Sequence, residues 1–371
     1  MQEPSLPVLI FAQSGRYLAQ SATQAGHTVW VADCFGDIDT QEIAARWQKL
    51  PAFSELDANN LLKILSTFAN GQDCHLVCGS GIEIFHSILT QLPENINYLG
   101  NSSNTVAKIK NPSLFFDLLD QHQLPYPATQ FTQPNNNETW LFKESAGLGG
   151  THITLSTKAL GDKQGYFQQK IIGDSASILF IADGKKIQLI SINKQSVTNK
   201  QPRPFQLAAI ESPFVISETH HQQLYQAIDI ITQETGLVGL NSLDFIIDDN
   251  DQIFILEINP RPSASAELVN NELLFQHHLK ACQGKHTLDI PITANANHIG
   301  LYYLYGPHAI TIPNKMNWPK QSHDIPQPGT VIEANHPICT IIIADSDIEH
   351  CQQKQQLVST RILQQISSLR Q

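Results

Sequence analysis

Residues 253–268 read IFILEINPRPSASAEL. IFIL has the apolar continuity of a buried strand. Glu257, Asn259 and Arg261 then fall at alternate positions, so an extended chain turns all three to one face. Two prolines, Pro260 and Pro262, bring the strand to its end. A core strand has no use for an acid, an amide and a guanidinium in register. A site for a metal and a polyanion has.

The chain just before this stretch completes the set. GLNSLDFIIDDNDQIFILEINPR, residues 239–261, reads as two antiparallel strands joined at DDND. Asp244 on the first strand can then share a face with Glu257 on the second. Two carboxylates and an amide oxygen suit a hard cation, Mg²⁺ or Mn²⁺ in its place, which keeps waters while reaching phosphate. Zn²⁺ more often recruits sulfur or nitrogen. Arg261 can fork onto phosphate or carboxylate oxygens. Asp248, Asp249 and Asp251 read as ordinary solvated turn acids.

Further upstream, TWLFKESAGLGGTHI (139–153) sets Lys143 at the end of a strand, followed by Gly147, Gly149 and Gly150. Glycines let backbone N–H groups crowd around phosphate oxygens, and the spacing reads as a hairpin free to close. It is not a Walker loop, because no Gly-Lys-Ser/Thr follows. In YFQQKIIGDSAS (166–177) an extended backbone can meet an adenine edge, and Asp174 can accept from ribose hydroxyls. HHQQLYQAIDIITQETGL (220–237) has the spacing of an amphipathic helix.

The N-terminal hundred residues alternate strand, turn and helix: PVLIFA, QSGRYLAQSATQAG, HTVWVAD, then DCHLVCGSGIE and INYLGN. This predicts a parallel α/β unit over residues 1–103. Asp33 ends the second strand as a ribose-binding acid would. The preceding turn, AQSGRYL, holds only Gly15 where the dinucleotide fingerprint needs three glycines. The unit therefore reads as a scaffold. Residues 104–290 form the α+β centre. Residues 291–371, with short strands, proline-rich turns and a final helix, form a β-rich C-terminal subdomain.

The 371 residues allow two or three domains. A net charge of -11 argues against a nucleic-acid partner. No stretch is apolar enough to span a bilayer, and no export signal is visible, so the cytoplasm is the expected location. The six cysteines are scattered and read as structural thiols. The pairs His220/His221 and His277/His278 read as solvated helix surface.

Taken together, Lys143, the glycine hairpin and the Asp244/Glu257/Asn259/Arg261 spacing resemble the ATP-grasp superfamily over roughly residues 5–350. The resemblance implies an α/β and α+β multidomain fold, with a Rossmann-like N-terminal domain and a two-lobed clamp for Mg²⁺–ATP. It places the metal on Asp244, Glu257 and Asn259. Arg261 would meet phosphate or an acyl-phosphate, and Lys143 the α-phosphate. Lys108 looks like an earlier phosphate lysine, with Lys110 as its rival. At the adenine hinge, Gln169 aligns with the family's usual Glu, and a shift by one would select Gln168. The backbone of Lys170 to Ile172 would read the base and Asp174 the ribose. The implied activity is ATP-dependent carboxylate–amine ligation of small molecules through an acyl-phosphate, by a chain compatible with a homodimer. A narrower resemblance is to tyramine–glutamate ligases of one-carbon cofactor synthesis. Two alternatives stand beside it: a bicarbonate-using carboxylase-like enzyme and a non-catalytic nucleotide-binding subunit.

Overall fold

The computed structural model describes residues 6–135, 139–145, 147, 149–156, 164–269, 272–285, 290–291 and 297–369. Ala146 and Leu148 of the glycine hairpin lie outside the described residues.

The N-terminal unit is a five-stranded parallel sheet: β1 (Val8–Ala12), β2 (Val29–Asp33), β3 (Arg46–Lys49), β4 (Cys74–Cys78) and β5 (Ile96–Tyr98). Its order is β3-β2-β1-β4-β5. β1 and β2 are buried along their whole length, which is why they read as continuous apolar runs. The helix Ala58–Ala69 is fixed at both ends: Asp57 caps its first turn, and Asn70 leaves it in the left-handed region. The order reverses between β1 and β4. Loops at the carboxyl ends of those strands therefore open onto one crevice.

The centre is an eight-stranded sheet. In order across it run Ile253–Asn259, Val238–Asp248, Gly173–Asp183, Ile187–Val197, Leu207–Ser212, His298–Tyr305, Pro337–Asp345 and Ser322–His323. The C-terminal strands thus continue the central sheet through the pairing of Leu207–Ser212 with His298–Tyr305. One face is covered by the helices Pro112–Gln121 and Glu218–Thr235, with Phe116, Leu119, Phe180, Ile228, Leu243 and Phe245 in one core. The opposite face is apolar at one end, where Leu179, Ile181 and Leu240 pack with Leu274 of the helix Leu274–Cys282. Toward the other end it turns polar, and the candidate site lies there. A small four-stranded sheet, Thr129–Gln130, Gly165–Gln169, Trp140–Glu144 and Ile153–Leu155, carries Lys143.

Two histidines depart from the sequence reading. His278 is 1 % exposed and its Nδ1 accepts from the Leu240 amide. His220 is buried with Nε2 against the Asp251 carbonyl. A polar neighbourhood in sequence did not reveal the backbone groups they reach. All six cysteines are free thiols.

Candidate active site

The hairpin predicted for residues 239–261 forms, with Asp244 opposite Glu257 and Ser242 opposite Asn259. A bulge between Asp244 and Phe245 breaks the register just beyond the acidic pair. The row continues across two further strands. Asp244 pairs with Ser177, and Ser177 with Asn193. Carboxylate, carboxylate, hydroxyl and amide thus lie side by side on four strands. Asn259 Nδ2 donates to Asp244 Oδ2 at 3.2 Å, and Gln195 Nε2 to Asp244 Oδ1 at 3.3 Å. Ser177 Oγ and Asn193 Oδ1 are buried without a hydrogen-bond partner. Such groups are costly unless something fills their valence.

Positive charge converges on the acids from separate elements. The helix Ser103–Lys110, capped by Ser102, ends at Lys110, where a cation also complements the helix dipole. Lys110 Nζ donates to Glu257 Oε2 at 2.8 Å and to the Ile258 carbonyl at 3.2 Å. This corrects the earlier placement: Lys108, on the same helix, is exposed, and Lys110 is the lysine that meets the carboxylates. Residues two positions apart on a helix point about 200° apart, so only one of these lysines can face the site. Lys143 is buried, and its pKa is lowered by burial against the raising pull of Glu257 and Asp244.

The two acids are driven apart. Burial, then the Glu257 charge, pushes the Asp244 carboxyl up. Burial would push Glu257 up as well, but Lys110 and Lys143 overcome it and hold that carboxylate below its usual range. A carboxyl whose pKa is raised by a neighbouring carboxylate is where a divalent cation gains most, since it favours the ionised form of both. Among the described residues no cluster of three or more His, Cys, Asp and Glu is arranged for a metal. Two carboxylates with the amide oxygens of Asn259 and Gln195 fit the sparser protein shell of Mg²⁺.

Arg261 is committed differently from the sequence expectation. Its Nε donates to Glu83 Oε1 at 2.6 Å, and Nη1 donates to the Pro262 carbonyl. Glu83 follows β4 in the N-terminal unit and is 9 % exposed. Sequence reasoning missed it, because its segment, the end of DCHLVCGSGIE, reads only as part of the α/β alternation. The other missed residues are Gln195, Ser177, Asn193 and His152. His152 follows the glycines, with its Nδ1 buried and unpartnered, within electrostatic reach of Glu257, Lys143 and Lys110.

The glycine hairpin is docked rather than free. The Leu207 amide donates to the Gly149 carbonyl at 3.2 Å. Gly150 has φ +74°, and a Cβ there would overlap the Phe205 carbonyl. At the hinge, register decides which glutamine faces the cleft. Gln168 lies opposite Leu141, on the face that carries Lys143 and Tyr166. Gln169 lies opposite Trp140, on the face of the Trp140–Phe142–Phe167 cluster. The side chain on the Lys143 side is therefore that of Gln168, which donates to Thr129 Oγ1. Gln169 instead uses its backbone N–H, on the Ala128 carbonyl, and the Lys170 amide donates to the Thr139 carbonyl. Ile172 is 72 % exposed beyond the strand end. Asp174 is exposed and paired with Lys194 at 2.7 Å.

Residues 109–265 match the ATP-grasp domain model. The fold is the ATP-grasp fold. Biotin carboxylase from Campylobacter jejuni superposes with a TM-score of 0.74 at 14 % identity, over 95 % of this chain and 91 % of that one. N5-carboxyaminoimidazole synthetase from Staphylococcus aureus, complexed with ADP, gives 0.72 at 15 %, over 96 % and 97 %. L-amino acid ligase from Bacillus licheniformis gives 0.70 at 13 %, over 97 % and 98 %. No curated protein matches by sequence. At these identities the likeness is one of ATP-grasp fold, shared by carboxylases and carbon–nitrogen ligases alike. No described helix is long and apolar enough to cross a membrane.

Proposed function

We propose that this chain is an ATP-dependent carboxylate–amine ligase that works through an acyl-phosphate. The observation that carries the reading is the facing pair Asp244 and Glu257, flanked by Asn259 and hemmed by Lys110 and Lys143. Asp244, Glu257 and Asn259 would hold Mg²⁺, which would supply positive charge to offset that of a moving phosphoryl group. Lys143 and Lys110 supply point charges toward the phosphates, and the backbone of Gly147, Gly149 and Gly150 supplies N–H groups. Lys170, Ile172 and Asp174 would serve the nucleoside, with Gln168 on the cleft side. A carboxylate substrate takes the γ-phosphoryl group near Arg261. An amine attacks the activated carbon and phosphate leaves. Closure of the lobes excludes water from an intermediate that would otherwise hydrolyse.

The narrower reading is that glutamate is the acid and a small amine the partner. It is supported by SINKQSV (191–197) and LEINPRPSASAEL (256–268), whose texture resembles tyramine–glutamate ligases. The structural likeness to biotin carboxylase and N5-carboxyaminoimidazole synthetase favours one competing reading, activation of bicarbonate. ADP release screened over acid–amine pairs, with and without bicarbonate, separates the two. A ligase releases ADP only when both acid and amine are present. ADP release that needs bicarbonate instead of a carboxylic acid supports the competitor.

A further inference from the structure

A second charged junction lies outside the phosphate site, where the loops after β1 and β2 meet the C-terminal strands. Arg16, 2 % exposed, begins the helix Arg16–Gln24. It binds Glu267, and its Nε donates to Asp324 Oδ1 at 2.9 Å. Asp39 Oδ2 lies 3.9 Å from the same Nε. Asp33 and Asp37 complete the ring of acids.

Nearly every oxygen here has a stated occupation. Asp33 accepts from the Gly15 and Gly36 amides and from Trp47 Nε1. Asp39 accepts from the Asp324 and Ile325 amides. Asp324 accepts from Arg16 and Ser14. Glu267 is taken up by Arg16. The exception is Asp37, which precedes a short helix without capping it. Its side chain is 5 % exposed, and its Oδ2 has no hydrogen-bond partner. Burial, then the charges of Asp324, Asp33 and Asp39, pushes its carboxyl up to about 8. His323, beside the ring, is held toward its neutral form by burial. Three acids, Glu267, Asp324 and Asp39, thus share Arg16, and the buried Asp37 beside them keeps one oxygen, Oδ2, without a donor. Such a group calls for a cation that brings N–H donors.

We propose that this junction docks the amine substrate as a small primary ammonium, with Asp37 as its main acceptor and Asp39, Asp324 and Glu267 supplying the field. This deepens the ligase reading and rests on it for the word substrate. The location is consistent: the junction lies at the carboxyl ends of the parallel strands, beside the order reversal. Glu267 is six positions beyond Arg261 on one continuous segment, so the segment that leaves the phosphate face leads into the acidic junction.

The test uses the full chain without ATP. Thermal midpoints are measured with n-alkylammonium chlorides, methyl to hexyl, against tetramethylammonium chloride, which carries the same charge and no N–H. Wild type should be stabilised by at least one alkylammonium and not by the control. Asp37→Asn should keep the starting midpoint, since it resembles the protonated acid, and should weaken the alkylammonium effect about tenfold in concentration. Equal effects of both cation types, or an unchanged response in Asp37→Asn, would overturn the proposal. If Asp37→Asn fails to fold, the wild-type contrast between the two cation types decides. Ammonium binding without acid-dependent ADP release leaves this site standing and removes the ligase reading. ADP release with no preference for ammonium does the reverse.

Discussion

Glu257 carries the sharpest consequence of a single side chain. It opposes Asp244 and holds Lys110, so its charge serves the lysine and the proposed metal site alike. Glu257→Gln keeps the shape and removes the charge, and turnover should fall on the order of 10²-fold or more. Steady-state ADP release checks this. A normally folded variant with wild-type turnover at limiting Mg²⁺ would contradict the assignment. Asp244 supplies a pH signature. Its folded pKa is raised, so the native state holds the proton longer than the unfolded chain. This group's contribution is then largest in acid and is lost as pH rises from the ordinary carboxylate range through the raised value. Mg²⁺ favours the ionised form, so its stabilising effect should grow over that window. Thermal midpoints against pH, with and without Mg²⁺, measure it. Asp244→Asn should flatten the dependence, and a Mg²⁺ effect constant across the window in wild type would count against the site.

At the scale of elements, the hairpin 238–259 was legible because period-two alternation fixes which side chains share a face. The lysine was not: Lys108 and Lys110 are both helical and both basic, and only the packing of their helix decides between them. Gln168 and Gln169 posed the same difficulty, since a one-residue slip exchanges the faces of a strand. The glycine hairpin yielded its composition but not its docking on residues 205–207, which is a contact between distant segments. Its two glycines should therefore behave differently. Gly149 has φ +59° and open space around it, so Gly149→Ala should cost about 1–2 kcal/mol from backbone strain alone. Gly150→Val adds a clash with the Phe205 backbone and should lower both thermal midpoint and turnover further. Equal midpoints for the two variants would mean that the hairpin is not docked in solution.

For the whole molecule, the parallel N-terminal unit was legible from its buried strands, whereas the scaffold contacts of Asp33 with the Gly15 amide and Trp47 were not. The joins between units were not legible, because ion pairs such as Arg261–Glu83 link residues far apart in sequence. That pair ties the N-terminal loop to the strand end that carries Glu257 and Asn259. Burial would raise the Glu83 carboxyl, but Arg261 and Lys110 hold it low. Glu83→Gln should free the guanidinium from its orientation and reduce kcat several-fold more than it raises the KM for ATP. A variant with the opposite split would assign Arg261 to ground-state nucleotide binding. The central claim concerns the bond made between acid and phosphate, and the most direct measurement of it is isotopic. The acid substrate is labelled with ¹⁸O in its carboxylate, and the products of one round of ligation are analysed by mass. An acyl-phosphate route carries one label into the released inorganic phosphate, because that oxygen becomes the bridge to phosphorus. Label in AMP, with pyrophosphate released, would contradict the account.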